Sequence, residues 1–366
     1  MEKPKVIKLA LALALVFALF ESSPSAGNLR YQSKMKNPLD KVTALFSHTK
    51  VVCVGRFLID VPDEAEVIYG PAYMDADLLV VPDGASRIES IIKGEQKQAL
   101  DDARFAEGQL KGPGSMLGKV VEGRAPGQRI LFSSTGSGLF YDVRSYVPIG
   151  KDLLVSWLSS FPEANRYDEV VSHLTSISMN ASSRGETDIP GAHGVCVDRA
   201  FIGEIGRFMT ERASIGIRFR TFPDVHFSLD VTSKDELVES DALEPRLRSA
   251  EMEASRRGAN DWYAKINFLR RGKRSIGKWN GFEVLARKPK QKVELSSHEF
   301  AFVSQGEPKN FFLPVLDLAL HTGVEENKQG AVPPSLTDVE AMALWDKLTN
   351  SIRVRPIMSN AVKADE

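Results

Sequence analysis

Short runs of apolar residues, separated by Gly, Pro and Asp, dominate the pattern along this chain. Residues 51–61, 139–146 and 153–158 are rich in β-branched and aromatic side chains between turn signals, which predicts strands. Apolar residues recur at helical spacing within 86–110, and 244–262 is predicted as a second, strongly charged helix. Strands joined mostly by hairpin-length links, with helices between them, predict an α+β fold of antiparallel sheets with helices packed on them.

One short motif occurs twice in the chain. The sequence CVGRFLI at 53–59 returns as CVDRAFI at 196–202. Each copy also ends alike, with HLTSI at 173–177 and KLTNSI at 347–352. A repeat of this length indicates a duplicated domain, because solenoid units are much shorter. We therefore expect two tandem, structurally similar lobes, each a mostly antiparallel sheet with helices packed on it, and a cleft between the lobes.

The repeat divides the chain into predicted segments. Residues 49–180 are lobe one and 195–356 are lobe two, joined by a linker at 181–194 that is rich in Ser, Gly and Pro. We expect an N-terminal arm at 28–48 and a flexible tail at 357–366. Lobe two also carries a segment near 311–334 that has no counterpart in lobe one. That segment is either a functional loop or an elaboration without function.

The N-terminus has the pattern of a secretory signal peptide. Three lysines within the first eight residues precede an apolar run at 9–20, and small residues follow it. The apolar run is shorter than the roughly 20 residues needed to cross a bilayer. We therefore expect residues 1–27 to be removed on export, with no stable membrane anchor afterwards.

The two cysteines occupy matching positions of the repeat. An exported protein can form a disulfide, which the cytosol would keep reduced. Cys53 and Cys196 either form such a bridge or remain as one buried thiol in the core of each lobe. A bridge requires the first strands of the two lobes to meet, because the two Cα atoms must lie within about 7 Å.

The charge of the chain is balanced overall but not locally. A net charge of −1 gives no field that would favour nucleic acid. Ten Lys or Arg lie between positions 246 and 278, against three acidic residues, and the sequence RRGKR at 270–274 is expected in an exposed turn. Arg and aromatic residues dominate the energetics of protein interfaces, although a solvated helix face would give the same pattern. The candidate partner interface comprises Arg256, Arg257, Trp262, Tyr263, Arg270, Arg271 and Arg274.

The sequence contains no motif for catalysis or metal binding. Its six histidines lack metal-ligand spacing. It has no Gly-x-Ser-x-Gly elbow between a strand and a helix, and no Gly-x-x-x-x-Gly-Lys-Ser/Thr phosphate loop. We therefore predict no catalytic residue, no metal and no cofactor, and a binding protein is favoured over an enzyme.

The sequences around the repeated motif resemble a known family. Residues 52–62 read VCVGRFLIDVP, residues 279–283 read WNGFE, and residues 350–353 read NSIR. These sequences are similar to immunity proteins for type VI secretion lipase effectors, in the group that neutralises class-four phospholipases. The resemblance covers roughly residues 45–356.

The resemblance implies a periplasmic immunity protein that binds a cognate lipase effector. It implies that two lobes grip the effector and hold the lid over its active site closed. No contact residue follows from the resemblance. The alternative is a periplasmic enzyme or a small-ligand-binding protein with a site at the lobe junction.

Overall fold

The computed structural model describes residues 38–357 except 106, 135–137, 207–209 and 292. The predicted signal peptide, residues 28–37 of the predicted arm and residues 358–366 of the predicted tail lie outside the described residues. The described α-helices are α1 (Pro38–Leu45), α2 (Ile88–Asp102), α3 (Ala164–Met179), α4 (Leu243–Arg256), α5 (Asn260–Tyr263) and α6 (Asp338–Asn350). None of these helices is long and apolar enough to cross a membrane.

The strands of the first part of the chain are β1 (Thr49–Val54), β2 (Phe57–Pro62), β3 (Glu66–Tyr69), β4 (Ala72–Met74), β5 (Asp77–Val81), β6 (Val120–Glu122), β7 (Arg129–Ser134), β8 (Tyr141–Ile149), β9 (Asp152–Ser160) and β10 (Ala181–Ser183). The second part contains β11 (Gly194–Val197), β12 (Ala200–Gly203), β13 (Glu211–Arg218), β14 (His226–Thr232), β15 (Asn267–Ile276), β16 (Trp279–Lys288), β17 (Ser297–Ser304), β18 (Val315–His321), β19 (Val324–Glu325), β20 (Lys328–Gln329) and β21 (Arg353–Val354). Short 3-10 helices lie at Ala85–Arg87, Ala103–Phe105, Gly108–Lys111 and Glu239–Asp241.

Thirteen of the described strands form one antiparallel sheet that runs through both parts of the chain. The order is β15-β16-β17-β18-β14-β13-β4-β5-β9-β8-β7-β6, and β3 pairs with β13 beside β4. We call β3–β9 the N-terminal half of the sheet and β13–β18 the C-terminal half. The predicted antiparallel α+β fold is confirmed. The predicted arrangement of two lobes with a cleft is not confirmed, because β13 pairs with β3 and β4 and joins the two halves.

The hairpin that opens each repeat packs against the opposite half of the sheet. Side chains of β1 and β2, including Val52, Phe57 and Ile59, lie in one core with β13, β14, β16, β17, β18 and α6. Side chains of β11 and β12, including Val195 and Ile202, lie in a second core with β5, β7, β8, β9 and α3. In addition, β10 pairs with β12 and β21 pairs with β2. Each core therefore contains residues from both repeats.

The two faces of the sheet carry different layers. The hairpins, α3 and α6 cover one face, which we call the inner face. On the outer face, α2 packs on β7, β8 and β9 through Ile92, and α4 packs on β16 and β17 through Leu243 and Leu247. Between α2 and α4, no hydrophobic cluster of the described residues places a helix on β14, β13 or β4. The middle of the outer face is therefore the part of the sheet that these helices leave open.

Two features hold the helix α6 in place: the cap at its N-terminus and its buried face. Thr337 accepts a hydrogen bond from the Glu340 backbone, and the Glu340 side chain accepts from the Thr337 backbone at 2.8 Å. This capping box satisfies backbone groups that an uncapped first turn would leave without partners. Trp345 and Leu348 are fully buried in the core of the C-terminal half. The helix therefore anchors the inner face beneath β15, β16 and β17.

Residues 311–334 are an extra segment only in part, because the connections at 305–314 and 322–337 are much longer than their counterparts at 150–151 and 161–163, whereas the strand between them has a counterpart. This strand is β18, which lies between β17 and β14 and supplies Leu316, Leu318 and Leu320 to the core. The corresponding strand of the N-terminal half is β9, between β8 and β5. The strand β18 was missed because Asp317 interrupts its apolar run. In the strand, Asp317 lies on the outer face while its neighbours Leu316 and Leu318 lie in the core.

Candidate functional site

The basic segment expected in an exposed turn forms an edge strand instead. β15 pairs with β16 in a hairpin whose two-residue turn is at 277–278. The expectation was wrong because charged side chains on both faces of an edge strand leave no apolar periodicity to read. Strand alternation places Arg270 and Arg274 on the inner face. It places Arg271 and Lys273 on the outer face, opposite Val284 and Phe282 of β16.

Arg270 and Arg274 surround a buried carboxylate. Glu283 on β16 is 2% exposed. It accepts hydrogen bonds from Arg270 Nε at 2.6 Å and from Trp345 Nε1 at 2.7 Å, and Arg274 also donates to it. Arg270 donates in addition to Asp346 of α6 at 3.0 Å. Because a buried charge that loses its partner is costly, these two arginines stabilise the fold and are poor candidates for a partner interface.

The predicted interface residues on α4 and α5 are dispersed. Arg256 and Arg257 both form ion pairs with Glu253, one and the same carboxylate of α4. Trp262 on α5 is partly buried, and its indole Nε1 has no hydrogen-bond partner among the described residues. These contacts fit the solvated-helix interpretation, since both arginines share one carboxylate at the end of the same helix.

The outer face of β15 does bring part of the predicted interface together. The Tyr263 ring lies 6.4 Å from the Phe268 ring, and the Arg271 guanidinium lies 5.3 Å from the same Phe268 ring. Phe268 is 36% exposed. In the described part of the chain, Arg271 and Lys273 lie in no ion pair, in contrast to Arg270 and Arg274. We call Tyr263, Phe268, Arg271 and Lys273 the basic edge.

A row of side chains crosses the outer face where the halves of the sheet meet. Strand register places Arg212 beside Tyr73, Tyr73 beside Asp77, and Asp77 beside Trp157. Leu79, two residues along β5 on the same face, is 54% exposed. We call Tyr73, Asp77, Leu79, Trp157 and Arg212 the junction strip.

Ion pairs border the junction strip on both sides. On the side of α2, Arg144 pairs with Glu95 at 2.9 Å and lies 5.7 Å from the Trp157 ring. On the side of α4, Arg246 pairs with Asp317 at 3.5 Å. The junction strip is therefore a band of aromatic, apolar and charged side chains between two helices that ion pairs fix to the sheet. Such mixtures of Tyr, Trp and Arg are typical of protein–protein interfaces.

Carboxylates near the junction strip titrate above their usual range. Burial raises the pKa of Asp77, and the neighbouring Asp142 adds to the shift. Burial also raises the pKa of Asp317 to about 6. Asp230 lies directly opposite Asp317 across β14 and β18, and it pairs with Arg212 at 2.7 Å. The strip thus carries both signs of charge in partly desolvated positions.

A disulfide joins the matching positions of the two repeats on the inner side of the sheet. Cys53 of β1 and Cys196 of β11 are bonded, with 5.8 Å between their Cα atoms. Gly55 and Cys196 exchange two backbone hydrogen bonds of 2.9 and 2.8 Å. Gly55 has a φ of +58°, and a Cβ there would lie 3.2 Å from Val231. Of the two alternatives for the cysteines, the structure contains the bridge, and the close crossing of the hairpins requires a glycine beside it.

The arginine of the repeated motif has different surroundings in its two copies. Arg56 is 4% exposed and donates to Glu211 at 2.8 Å and to Glu204 at 3.0 Å. Its guanidinium also lies 5.2 Å from the Phe311 ring. Arg199, the arginine of the second copy, is exposed. The buried copy stabilises the junction of the halves, so the shared motif reflects structure and gives no sign of shared chemistry.

A hydroxyl–histidine–carboxylate chain in the C-terminal half has the order of a catalytic triad. Thr322 Oγ1 lies 2.9 Å from His298 Nδ1, and His298 Nε2 lies 3.0 Å from Asp338. Thr322 is 0% exposed and His298 is 2% exposed, so a substrate has no access to the hydroxyl. The chain is a buried polar network that connects β17 to the start of α6. In the described ranges, no group of three or more His, Cys, Asp or Glu side chains could hold a metal ion.

Comparison with known proteins identifies similar chains. Residues 188–357 match the family model described as Tle cognate immunity protein 4 C-terminal domain. No curated protein matches the sequence.

Three solved structures share the fold. One is the immunity protein TplEi of the T6SS from Pseudomonas aeruginosa complexed with "L" peptide, at 23% identity and a TM-score of 0.64, covering 85% of this chain and 99% of that one. The apo structure of TplEi gives 23% identity and a TM-score of 0.64, with 85% and 98% covered. A chain of the Tle4–Tli4 complex gives 23% identity and a TM-score of 0.66, with 85% and 99% covered. The family match confirms the resemblance inferred from the sequence over residues 188–357, and the solved structures show the same fold over 85% of this chain.

Sequence reasoning missed the junction strip and Phe268. The run DLLVV at 77–81 looks like a fully buried strand, yet Leu79 is exposed because no helix covers this part of the outer face. Trp157 lies in a strand that was predicted, but the sequence does not show which face of that strand stays open. Tyr73 lies in β4, a strand of three residues that was not predicted. Phe268 was missed because it lies in the segment 265–270, which is predicted as a strand, and the sequence does not show which face of that strand is exposed.

Proposed function

We propose that this chain is an immunity protein that binds and inhibits a phospholipase effector of a type VI secretion system. The match of residues 188–357 to the Tle cognate immunity protein 4 family carries the proposal. The fold supports it over most of the chain, because a chain of the Tle4–Tli4 complex has the same fold. Inhibition by binding also agrees with the burial of the Thr322–His298–Asp338 network, which leaves that hydroxyl without access to a substrate.

We propose the junction strip as the main surface that contacts the effector. It lies on the strands that both halves contribute, and α2 and α4 rise on either side of it. Leu79 and Trp157 would be the apolar anchors, and Arg212 would supply a charge whose present partner is Asp230. A few such anchors account for most of the affinity in protein complexes.

Inhibition would act on the conformation of the lipase. An inhibitor that prefers the closed-lid form shifts the lid equilibrium by the difference between its affinities for the closed and open forms. To turn a lid that is about 99% open into one that is about 99% closed requires about 10⁴-fold preference, or about 5.5 kcal/mol. A large interface with buried anchors is the kind of surface that supplies such a preference.

The proposed location is the periplasm. The signal-like sequence at 1–27 supports export. The Cys53–Cys196 disulfide supports it independently, since oxidising compartments preserve such bridges. Both features fit a protein that meets a lipase where the membranes are exposed to attack.

The proposal is tested by co-purifying residues 28–366 with the lipase encoded beside this gene. We expect a stable complex, and we expect Leu79→Glu to weaken it more than tenfold because a charge would be placed in the apolar part of the junction strip. Val339→Glu is the matched control, since Val339 is 50% exposed on α6 at the other side of the sheet. Equal affinity of the Leu79→Glu variant and the wild type would remove the junction strip from the interface, and no complex at all would contradict the proposed function for that lipase.

A further inference from the structure

The two edges of the large sheet are unequal. At one edge β6 has three residues, and at the other edge β15 has ten. Among the described strands, β15 pairs with β16 alone, so its second side is open. A long open edge is a ready template for another strand, and proteins usually shorten, cover or charge such edges.

The backbone groups that face the open side can be identified from the hairpin. The two-residue turn at 277–278 closes on the pair Ile276 and Trp279. In an antiparallel hairpin of this kind, the pair that flanks the turn is hydrogen bonded, and bonded and non-bonded pairs then alternate. Arg271, Lys273 and Ser275 therefore direct their N–H and C=O groups away from β16. The bulge between Phe268 and Arg270 ends this run.

The charges of β15 are neutralised on one face only. Arg270 and Arg274 on the inner face are bound by Glu283 and Asp346. Arg271 and Lys273 on the outer face lie in no ion pair within the described residues. Two of the three residues whose backbone groups face the open side, Arg271 and Lys273, are thus also the two β15 cations that lie in no described ion pair.

This charge selects the kind of strand that can be added. A second copy of this chain would bring Arg271 and Lys273 against the same residues, and like charges directly opposite each other are destabilising. An acidic segment would instead be attracted to the edge and would gain ion pairs with both side chains. The exposed ring of Phe268 and the half-buried ring of Tyr263, at the end of the run, would accept an apolar residue of the same segment.

We infer that β15 binds an extended, acidic segment of the effector, which adds to the sheet as a further antiparallel or parallel strand at the basic edge. The inference rests on the proposed function, because that function supplies the partner. Backbone hydrogen bonds to Arg271, Lys273 and Ser275 would give affinity, and the two positive side chains would select acidic residues. The basic edge and the junction strip would then be two separate contacts with one partner.

Hydrogen exchange of the complex with the neighbouring lipase tests this inference. In the free chain, the amides of Arg271, Lys273 and Ser275 should exchange rapidly, because they have no partner strand. In the complex, we expect their exchange to slow at least tenfold, while the amides of the exposed residues Arg124 and Gly127 in the β6–β7 turn keep their free-state rates.

Two variants separate the backbone contribution from the charge. Lys273→Pro removes an outward N–H, and an edge position tolerates proline because no ladder hydrogen bond is lost. We expect it to weaken binding about tenfold or more with little change in melting temperature. Arg271→Glu with Lys273→Glu should weaken binding by a similar factor and reduce its salt dependence. Arg124→Glu, an equally exposed cation near the opposite edge, is the control and should change affinity less than threefold.

The outcomes are distinct. Binding of the lipase with no slowing at β15, or with full affinity of the Lys273→Pro variant, would overturn this inference and leave the immunity function standing. Slow amide exchange at β15 in the free chain, if it becomes more pronounced with protein concentration, would indicate that a second copy of this chain binds the edge. That result would also overturn the inference. Failure of the wild-type chain to bind the lipase would overturn the proposed function together with it.

Discussion

The two halves of the sheet use the same order of strands but distribute charge differently. Counted outward from the junction, β5, β9, β8, β7 and β6 correspond to β14, β18, β17, β16 and β15. The N-terminal half ends in a strand of three residues, whereas the C-terminal half ends in a strand of ten that carries four cations. The strand order and the cores of the two halves correspond, whereas their edge strands do not. In this duplicated fold the packing is therefore preserved, while the surfaces have diverged.

The same contrast applies to the motif that reveals the repeat. The apolar residues of both copies lie in cores, and both cysteines lie in one bridge. The two arginines differ, since Arg56 is buried between carboxylates and Arg199 is exposed. The repeat therefore identifies what holds the halves together, and the differences between the copies show where to look for function.

The largest expected effect comes from the point where the two copies meet. Cys53→Ala with Cys196→Ala removes a bridge that spans 143 residues of sequence. Loop-closure entropy predicts a loss of about 5 kcal/mol in the free energy of unfolding, at the upper end of the usual range of about 2–5 kcal/mol for native disulfides. Denaturant unfolding of the oxidised wild type and the variant measures this loss. A difference below about 1 kcal/mol would show that the hairpin crossing is stable without the bridge.

The inner and outer cations of β15 should differ in their effect on stability. Arg270→Glu with Arg274→Glu places acidic groups beside buried Glu283 and should lower the free energy of unfolding by about 3–4 kcal/mol. Arg271→Glu with Lys273→Glu makes the same change of charge on the outer face and should stay within about 0.5 kcal/mol. Thermal and denaturant unfolding of the two double variants compares them directly. Similar losses in both would contradict the assignment of the inner pair to the fold.

The arginines of the two motif copies should also differ in their effect on the free energy of unfolding. Arg56→Ala leaves Glu211, which is 8% exposed, without its main partner, so we expect a loss of about 2–3 kcal/mol. Arg199→Ala should cost less than about 0.5 kcal/mol, because an exposed cation contributes little. Chemical denaturation of both variants provides the measurement, and equal losses would refute the structural distinction between the two copies.

The smallest expected effect concerns the carboxylates opposite each other in the C-terminal half. Asp317 faces Asp230, whereas the corresponding strands of the N-terminal half place Asp77 opposite Trp157. Burial raises the pKa of Asp317 to about 6, above its value of about 3.9 in an unfolded chain. The folded state therefore binds this proton more tightly, and the contribution of Asp317 to stability falls as the pH rises from about 4 to about 6.

The Asp317→Asn substitution tests the direction of this pH dependence of stability. The variant should be more stable than the wild type by about 1 kcal/mol at pH 7.5, since the amide avoids the cost of a partly buried charge, which exceeds the attraction of that charge to Arg246 and Arg212. At pH 4 the gain should vanish, because Asp317 is then protonated in the folded wild type. Unfolding curves at the two pH values provide the comparison, and a variant less stable at pH 7.5 would show that the Arg246 ion pair outweighs the burial of the carboxylate.

Local features of the fold could be predicted from the sequence, and long-range features could not. The paired motifs located the segments at 49–62 and 194–203, and the turn signals gave most strands of the sheet. Residues 51–61 were predicted as one strand, however, whereas the structure folds each of these segments into a hairpin, with two-residue turns at 55–56 and 198–199. The joining of the halves could not be read, because it depends on pairing of β13 with the short strands β3 and β4, which carry no motif. The sequence also did not show that each opening hairpin packs against the opposite half of the sheet. A repeat shows that two units are alike, but it does not show which half of the sheet each hairpin covers.

The same division between local features, which could be predicted, and long-range features, which could not, applies to the candidate surfaces. Sequence reasoning found the basic segment but mistook a strand for a turn, because Arg270 and Arg274 look identical to Arg271 and Lys273 until Glu283 is seen between them. The junction strip depends on which face of the sheet lacks a helix, a property of the assembled layers. Only the three-dimensional arrangement therefore separates the arginines that stabilise the fold from those open to a partner.

The central claim is tested most directly by titrating the phospholipase activity of the neighbouring lipase with purified residues 28–366. The account predicts that hydrolysis falls linearly with added chain and is abolished at a one-to-one molar ratio, with Leu79→Glu requiring a large excess. Unchanged hydrolysis at a tenfold excess of correctly folded, disulfide-bonded chain would contradict it.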